Sequence, residues 1–441
     1  MKNIKLYFLI VLILISSCEG FLDERPSKGI IVPTTIDDLY SILANTQRIN
    51  REINLGILLA DDMFTNDQGY LTFINDFTRD AYKWKQEIFE VTGGNAFWNI
   101  PYITIFHANF ILETVSEINP RNENDINDLR NLRGMALFHR ANALTGLLQF
   151  FAPPVLTESD LQKRAIPIKL NSDVNDHQGL ATIGEVYNRI FLDLEESMEL
   201  LPETQSTVVH PGKLAVYGLL ARIHLILGNY SEALNFSQKI LDKKSDLLGY
   251  SEIFENTSFP IVGLQYPIPV LNNELIYFSS GGASQSFTSP LSFVDRELVN
   301  SYSENDLRKF LFFNNPNQDG NVNFIGHYTG NFELFSGIAL DEVYLIKSEC
   351  LARLNRGKEG LDVLNSLLET RFRKGTYLPE EYLSETQSLS KILEERRKSL
   401  VFRGYLRWVD MRRLLKDPEW NGPKPRVVMG ETFSGTMTKT V

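Results

Sequence analysis

The chain has 441 residues, 43% hydrophobic and 11% aromatic, with a formal net charge of −11. So acidic a chain repels nucleic acid and anionic membrane surfaces, and neither is expected as a partner. The apolar content supports a packed core, and the length suggests two or three domains unless helical units stack into one.

Lys2 and Lys5 precede an unbroken apolar run from Leu6 to Ile15. That run is shorter than the roughly 20 residues of a spanning helix and has the length of a signal-peptide apolar region. Ile15-Ser16-Ser17-Cys18 then places two small residues before a cysteine. It resembles the lipobox of bacterial lipoproteins, which implies removal of residues 1–17 and a diacylglyceryl group on Cys18; an ordinary leader with an incidental cysteine is the alternative. Losing Lys2 and Lys5 makes the remainder still more acidic, and Cys350 is then the only free thiol. With Cys18 acylated, no intrachain disulfide can form. Glu19, Asp23 and Glu24 follow closely, and this acidic stretch resembles the surface-export signal of Bacteroidetes lipoproteins.

Helical periodicity dominates the chain from Thr34 onward. Thr34-Thr35 reads as an N-cap for a helix from Ile36 to Ile49, with Ile36, Leu39, Tyr40 and Leu43 on one side. Phe97 to Ile118 and Ile126 to Phe151 come next, the second stopped by Pro153-Pro154. Ile183 to Leu201 carries a stripe of Val186, Tyr187, Ile190, Leu194 and Met198, closed by Pro202. Leu214 to Leu227 and Ser231 to Leu241 form a pair. From Leu248 to Gly337 the chain turns rich in Gly, Ser, Pro, Asn and aromatics, which predicts long loops with short strands. Helix resumes over Leu340–Leu368 and Leu389–Leu415, and the tail after Pro418 reads as irregular.

An internal repeat is present. Leu227 to Leu234 aligns with Leu354 to Leu361 at an offset of 127 residues, which also matches Tyr217 with Tyr344, Ala221 with Ser348, Ile223 with Cys350 and Leu241 with Leu368. Gly228 opens a tight turn, and Ala233 permits close approach of two antiparallel helices. This is the logic of tetratricopeptide (TPR) units, which stack because one unit cannot bury its apolar face alone. Cys350, matched with an isoleucine, is expected to be a small buried hydrophobe.

Enzyme motifs are lacking: the sequence has no His-Glu-x-x-His, no Gly-x-Ser-x-Gly and no P-loop. His107, His139, His177, His210, His224 and His327 never fall at metal-ligand spacing, so neither metal nor cofactor is expected. Adjacent carboxylates occur at Asp61-Asp62, Glu195-Glu196 and Glu394-Glu395. Neighbours on a helix point to different faces, so the last two pairs read as solvated or ion-paired rather than as a glycosidase couple. Asp61-Asp62 is expected to hydrogen-bond loop backbone.

Several segments, in order, resemble the SusD/RagB family of outer-membrane nutrient-binding lipoproteins. They include Cys18-Glu-Gly-Phe-Leu-Asp-Glu-Arg-Pro26, Ala60-Asp-Asp-Met63, Trp98 to Asn109, Arg133 to Asn142, Val186 to Asp193, Leu214 to Ala233 and Leu291 to Arg308. The most specific is Ile392-Leu-Glu-Glu-Arg-Arg-Lys-Ser-Leu400 leading to Arg403-Gly-Tyr-Leu-Arg-Trp-Val-Asp-Met-Arg-Arg413. In that stretch Ile392, Leu393, Leu400, Val401, Tyr405, Trp408 and Val409 read as core, and Glu395, Arg396, Asp410 and Arg412 as buried ion pairs. Family members usually end in a Pro-Ile-Pro stretch; here the tail lacks it, and Tyr266-Pro-Ile-Pro269 sits in the middle.

The resemblance implies a mainly α fold after residue 18: one domain whose TPR-like scaffold spans residues 34–247 and 340–415, with a loop-rich ligand-binding insert over 248–339. It also implies a non-catalytic, lipid-anchored protein of the outer membrane, facing the cell exterior. Its partner would be a SusC-like TonB-dependent transporter and its ligand an oligosaccharide, or in some members a peptide. Sugar rings stack on aromatic faces while their hydroxyls need polar partners. Two segments offer that mixture, Asp67 to Trp84 and Phe287 to Tyr328, and the candidate ligand residues are Tyr70, Arg79, Trp84, Asn323, Phe324 and Tyr328. Tyr82 and Trp84 could equally form the apolar face of a helix. A surface glycan hydrolase and a periplasmic TPR assembly factor are the rival readings.

Overall fold

A computed structural model describes residues 33–85, 88, 96–261, 265–282, 288–420, 422–423 and 425–435. The leader, Cys18 and the acidic stretch after it lie outside the described residues, as does Phe287.

Thr35 caps the first helix, α1 (Ile36–Ala44): its hydroxyl accepts the Asp38 amide while the Asp38 carboxylate accepts the Thr35 amide. The predicted continuation to Ile49 is interrupted. Asn45 leaves helical backbone, and Thr46–Ile49 is a separate short turn. The long antiparallel pair α2 (Ala96–Glu117) and α3 (Glu123–Phe151) comes next, with Asn122 capping α3. A capping box of Thr182 and Glu185 starts α4 (Ile183–Leu200), which packs along α3. Here the family-like motifs find their physical role. Arg140 on α3 grips Asp193 of α4 through two 2.7 Å bonds and donates to Asn109 of α2 at 2.8 Å. Asn109 in turn donates to the carbonyls of Lys169 and Asn171. One buried guanidinium thus ties three helices together.

The repeat pairs are α5 (Lys213–Leu227) with α6 (Tyr230–Leu241), and α7 (Leu340–Arg353) with α8 (Gly357–Glu369). Helix α6 packs directly on α7, joining the two units across the intervening chain. Close approach inside the second unit depends on Gly360, where a Cβ would come within 2.8 Å of the Ser348 carbonyl oxygen; the Ser348 hydroxyl donates to the Gly360 carbonyl at 2.7 Å. Cys350 is buried among Ala221, Leu225, Ala233 and Ile346, and burial pushes its thiol well above the usual range. It is the small hydrophobe that its isoleucine counterpart predicted.

Among the described residues, eleven short strands lie in five small sheets: β1 (Arg51–Glu52), β2 (Met63–Thr65), β3 (Arg164–Pro167), β4 (Leu180–Thr182), β5 (Leu275–Tyr277), β6 (Ser280–Gly281), β7 (Ser292–Val294), β8 (Leu334–Phe335), β9 (Ile338–Ala339), β10 (Arg426–Val428) and β11 (Glu431–Phe433). Three sheets draw on the loop-rich stretch, as β1–β6–β8, β2–β7 and β5–β9. The tail, predicted irregular, instead closes as the antiparallel β10–β11 hairpin.

The predicted helix over Leu389–Leu415 is two: α9 (Glu385–Ser399) and α10 (Leu406–Arg413). Phe402 and Gly404 take positive φ between them, turning the chain. Ile392, Leu400, Val401, Tyr405, Trp408 and Val409 are core, as read from the stripe, whereas Leu393 is only partly buried. Arg396 pairs with Asp410 at 2.9 Å, and Arg413 pairs with Glu349 and Asp410. Arg412 differs from expectation. Among the described residues it meets no carboxylate; it donates to the carbonyls of Gln149 and Ala152, where α3 ends. Those carbonyls lack partners within the helix, and a guanidinium satisfies both them and the helix dipole. The chain is therefore mainly α, a TPR-like helical scaffold carrying a loop-rich irregular region.

Candidate ligand-binding face

Ligand capture requires exposed aromatic and polar groups on a rigid support. The first candidate segment is held by two capped turns. Asn66 accepts the Gly69 amide at the head of Asp67–Leu71, and Asn75 accepts the Thr78 amide at the head of Asp76–Tyr82. The β2–β7 ladder lays this segment beside the second one, pairing Phe64 with Phe293. The Thr65 hydroxyl donates to the Leu291 carbonyl at 2.7 Å, and the absence of a side chain at Gly69 admits Leu291. Segments more than two hundred residues apart thus meet on one loop-rich region.

The individual candidate residues have different placements. Tyr70 is 6% exposed and packs on Phe73 and Tyr82. Tyr328 is fully buried, with its hydroxyl donating to Glu274 at 2.8 Å and the Arg403 guanidinium 3.8 Å from its ring centre. Both expectations are corrected: these rings are core, with no face left for a ligand. Asn323 donates to the carbonyls of Pro290 and Ser292 and accepts from Asn314, fastening the second segment to β7. Phe324 is partly exposed and stacks on Phe402 at 5.1 Å. Arg79 pairs with Asp76 at 2.9 Å and donates to the Phe73 carbonyl. Trp84 stays partly exposed, its backbone at φ 53 and its indole N–H donating to the Leu59 carbonyl at 2.8 Å.

Asp61-Asp62 also departs from expectation. Arg407 binds Asp61 in a two-pronged pair at 2.6 and 2.8 Å, and Arg397 donates to Asp62 at 2.9 Å. Burial alone would raise both carboxyls. At Asp61 the two guanidiniums overcome it and hold the group well below the usual range, whereas at Asp62 burial prevails and its carboxyl is raised. The pair anchors α9 and α10 rather than loop backbone. Of the helical pairs, Glu196 meets Arg133 and Glu395 is sunk against Arg308.

Sequence reasoning reached the segment but not the individual residues of the cleft that best matches a sugar. A depression of about 270 Å³ is lined by Phe259, Phe310, Phe313, Lys309, Asn314 and Asn315, among others. Phe259 is 39% exposed and is packed from behind by Phe254, whose ring centre lies 4.7 Å away. The Phe259 ring is accessible and braced over a floor that includes the buried Phe313, and with amides and an ammonium at the rim it suits stacking plus hydroxyl recognition. The available signal was the run Phe310-Leu-Phe-Phe-Asn-Asn-Pro316, with aromatics passing directly into amides before a proline. A second missed pair is Phe64 and Arg296: the guanidinium lies 5.4 Å from the ring centre while its Nε donates to Asn321. Among the described residues, no three His, Cys, Asp or Glu side chains gather as metal ligands, and no helix is long and apolar enough to cross a membrane.

Residues 20–225 match the family model SusD-like_3, described as starch-binding and associating with the outer membrane. SusD-like protein P2 of Formosa agariphila is 23% identical, with 96% of this chain and 93% of that protein covered; SusD-like protein P38 of the same organism is 21% identical. A SusD superfamily protein of Bacteroides fragilis superposes with a TM-score of 0.71 at 16% identity, covering 92% of this chain and 95% of its own. A SusD-like carbohydrate-binding protein of Bacteroides vulgatus gives 0.66 at 19% identity, covering 90% and 88%. Residues 20–225 thus match a SusD-like family described as starch-binding and associating with the outer membrane, and the chain as a whole is similar in sequence and fold to SusD-like proteins.

Proposed function

We propose that this protein is a non-catalytic lipoprotein of the outer cell surface that captures oligosaccharides and passes them to a TonB-dependent transporter. The cleft floored by Phe259, Phe310 and Phe313 and edged by Asn314, Asn315 and Lys309 carries the reading. It supplies flat apolar faces for sugar rings and polar groups for hydroxyls on a region braced by the helical scaffold. Trp84 and Arg79 extend the ligand face along the neighbouring segment, and lipid on Cys18 tethers the chain. The family description, starch-binding and outer-membrane-associating, agrees with this reading.

Electrophoresis of the purified protein through gels containing soluble starch, xylan or pectin tests it directly. Retardation by one polysaccharide, lost in Phe259→Ala, is expected. Release of reducing sugar would instead favour a hydrolase, and passage unretarded through all three gels would remove carbohydrate capture.

A further inference from the structure

Arg426, on β10, is buried and has no carboxylate partner among the described residues. Its guanidinium donates to the carbonyls of Leu58 at 2.7 Å, Tyr82 at 2.6 Å and Ala60. The acceptors lie where the short helices Leu55–Leu59 and Asp76–Tyr82 end, so their carbonyls lack helical partners. The same group is sandwiched, 4.2 Å from the Tyr82 ring centre and 4.0 Å from that of Trp84. Burial without a counter-ion pushes this guanidinium down to about 10. An unpaired charge is costly to bury, and only carbonyl dipoles and ring faces offset that cost here.

The hairpin is fastened to the same segment at two further points. The Met429 amide donates to Asp67 at 2.7 Å, and the Lys83 ammonium lies about 5 Å from the ring centres of both Tyr70 and Phe433. Trp84 needs such support. Its backbone is left-handed, a conformation that strains a bulky non-glycine residue.

We propose that Arg426 is a positioning residue for Trp84, so that the C-terminal hairpin sets the shape of the ligand face from behind. The Leu59 carbonyl fixes the indole edge and the guanidinium fixes one indole face. The proposal rests on Trp84 belonging to the ligand face. Lysine cannot replace the arginine, because one ammonium cannot serve three carbonyls in a plane while lying between two rings.

Two readouts on the full-length protein decide it. Hydrogen exchange compares wild type with Arg426→Lys: amides of residues 58–85 should exchange at least about tenfold faster while α5 to α8 keep their protection. Retardation in starch, xylan and pectin gels is then measured for wild type, Arg426→Lys, Trp84→Ala and the double variant. Arg426→Lys should weaken binding about tenfold, with no further loss in the Trp84→Ala background. Unchanged exchange in 58–85, or an equal loss of binding with and without Trp84, would overturn the proposal. Should Trp84→Ala bind as wild type, or no gel retard the wild type, the ligand-face reading fails while the exchange result still judges whether Arg426 orders the segment. If Arg426→Lys loses its helical circular dichroism, Asp67→Ala repeats the exchange test by releasing the Met429 amide. The same local acceleration is expected there, and none would count against the hairpin.

Discussion

Asn355 ends the first helix of the second repeat as Gly228 ends that of the first, and both residues are left-handed, with φ 58 and 84. They stand in register at the 127-residue offset, so the repeat extends to a backbone conformation that asparagine tolerates and glycine adopts freely. Asn355→Gly should therefore leave stability unchanged or raise it by a few tenths of a kcal/mol. Gly228→Val should cost about 1–2 kcal/mol, since a β-branched residue is strained there. Urea unfolding of both variants checks the pair.

The Arg308 guanidinium is fully buried, 2.6 Å from Asp306 and 2.7 Å from Glu395. Burial by itself would raise the Glu395 carboxyl, but Arg308 and Lys398 bring it down to about 2. Removing one partner strands a buried charge, so Glu395→Gln should destabilise by about 3–5 kcal/mol. The measurement is the urea midpoint at neutral pH; a shift worth less than about 1 kcal/mol would mean that Asp306 alone suffices.

His139 is 1% exposed, and neither ring nitrogen has a protein partner among the described residues. Burial, helped by nearby His210, brings it down to about 3, and burial brings His327 down to about 4. Both folded values lie below the unfolded one, near 6.5. Their neutral forms therefore stabilise the fold fully above that value, and the contribution is lost as pH falls toward 4 and then 3. Melting temperature should decline from about pH 6.5 downward, ahead of the carboxylate-dependent loss below about pH 4.5. His139→Leu should flatten the upper part of that decline. A profile identical to wild type would assign the loss to other groups.

Phe259 is exposed enough to be truncated without opening the core. Phe259→Ala should weaken polysaccharide binding about tenfold while shifting the melting temperature by no more than about 2 °C. A large stability loss with unchanged affinity would make the ring structural.

The scaffold could be read from sequence because helices announce themselves locally. Thr35, Asn122 and Thr182 cap where short side chains precede apolar stripes, and Gly228 and Ala233 mark a repeat whose partner shares the spacing. The turn between α9 and α10 was not legible, because only the folded chain shows Phe402 and Gly404 at positive φ. The tail hairpin was equally hidden: strands of three residues carry no usable period. The ligand face was read in region but not in residue. Tyr328 and Phe259 look alike as loop aromatics, yet one is sealed under Arg403 and the other opens to solvent. Burial of that kind is decided by partners far away in sequence.

Those distant partners also bear on the order of synthesis. The end of α3 is closed by Arg412, 263 residues after Gln149; Asp61 waits 346 residues for Arg407, and Leu58 waits 368 for Arg426. A ribosome releases the early segments long before the groups that complete them. Until those later groups dock, the early segments keep open helix ends and unpaired carboxylates and remain soft. A variant lacking residues 397–435 would thus leave those ends open, a chain ready for proteolysis rather than a smaller working protein.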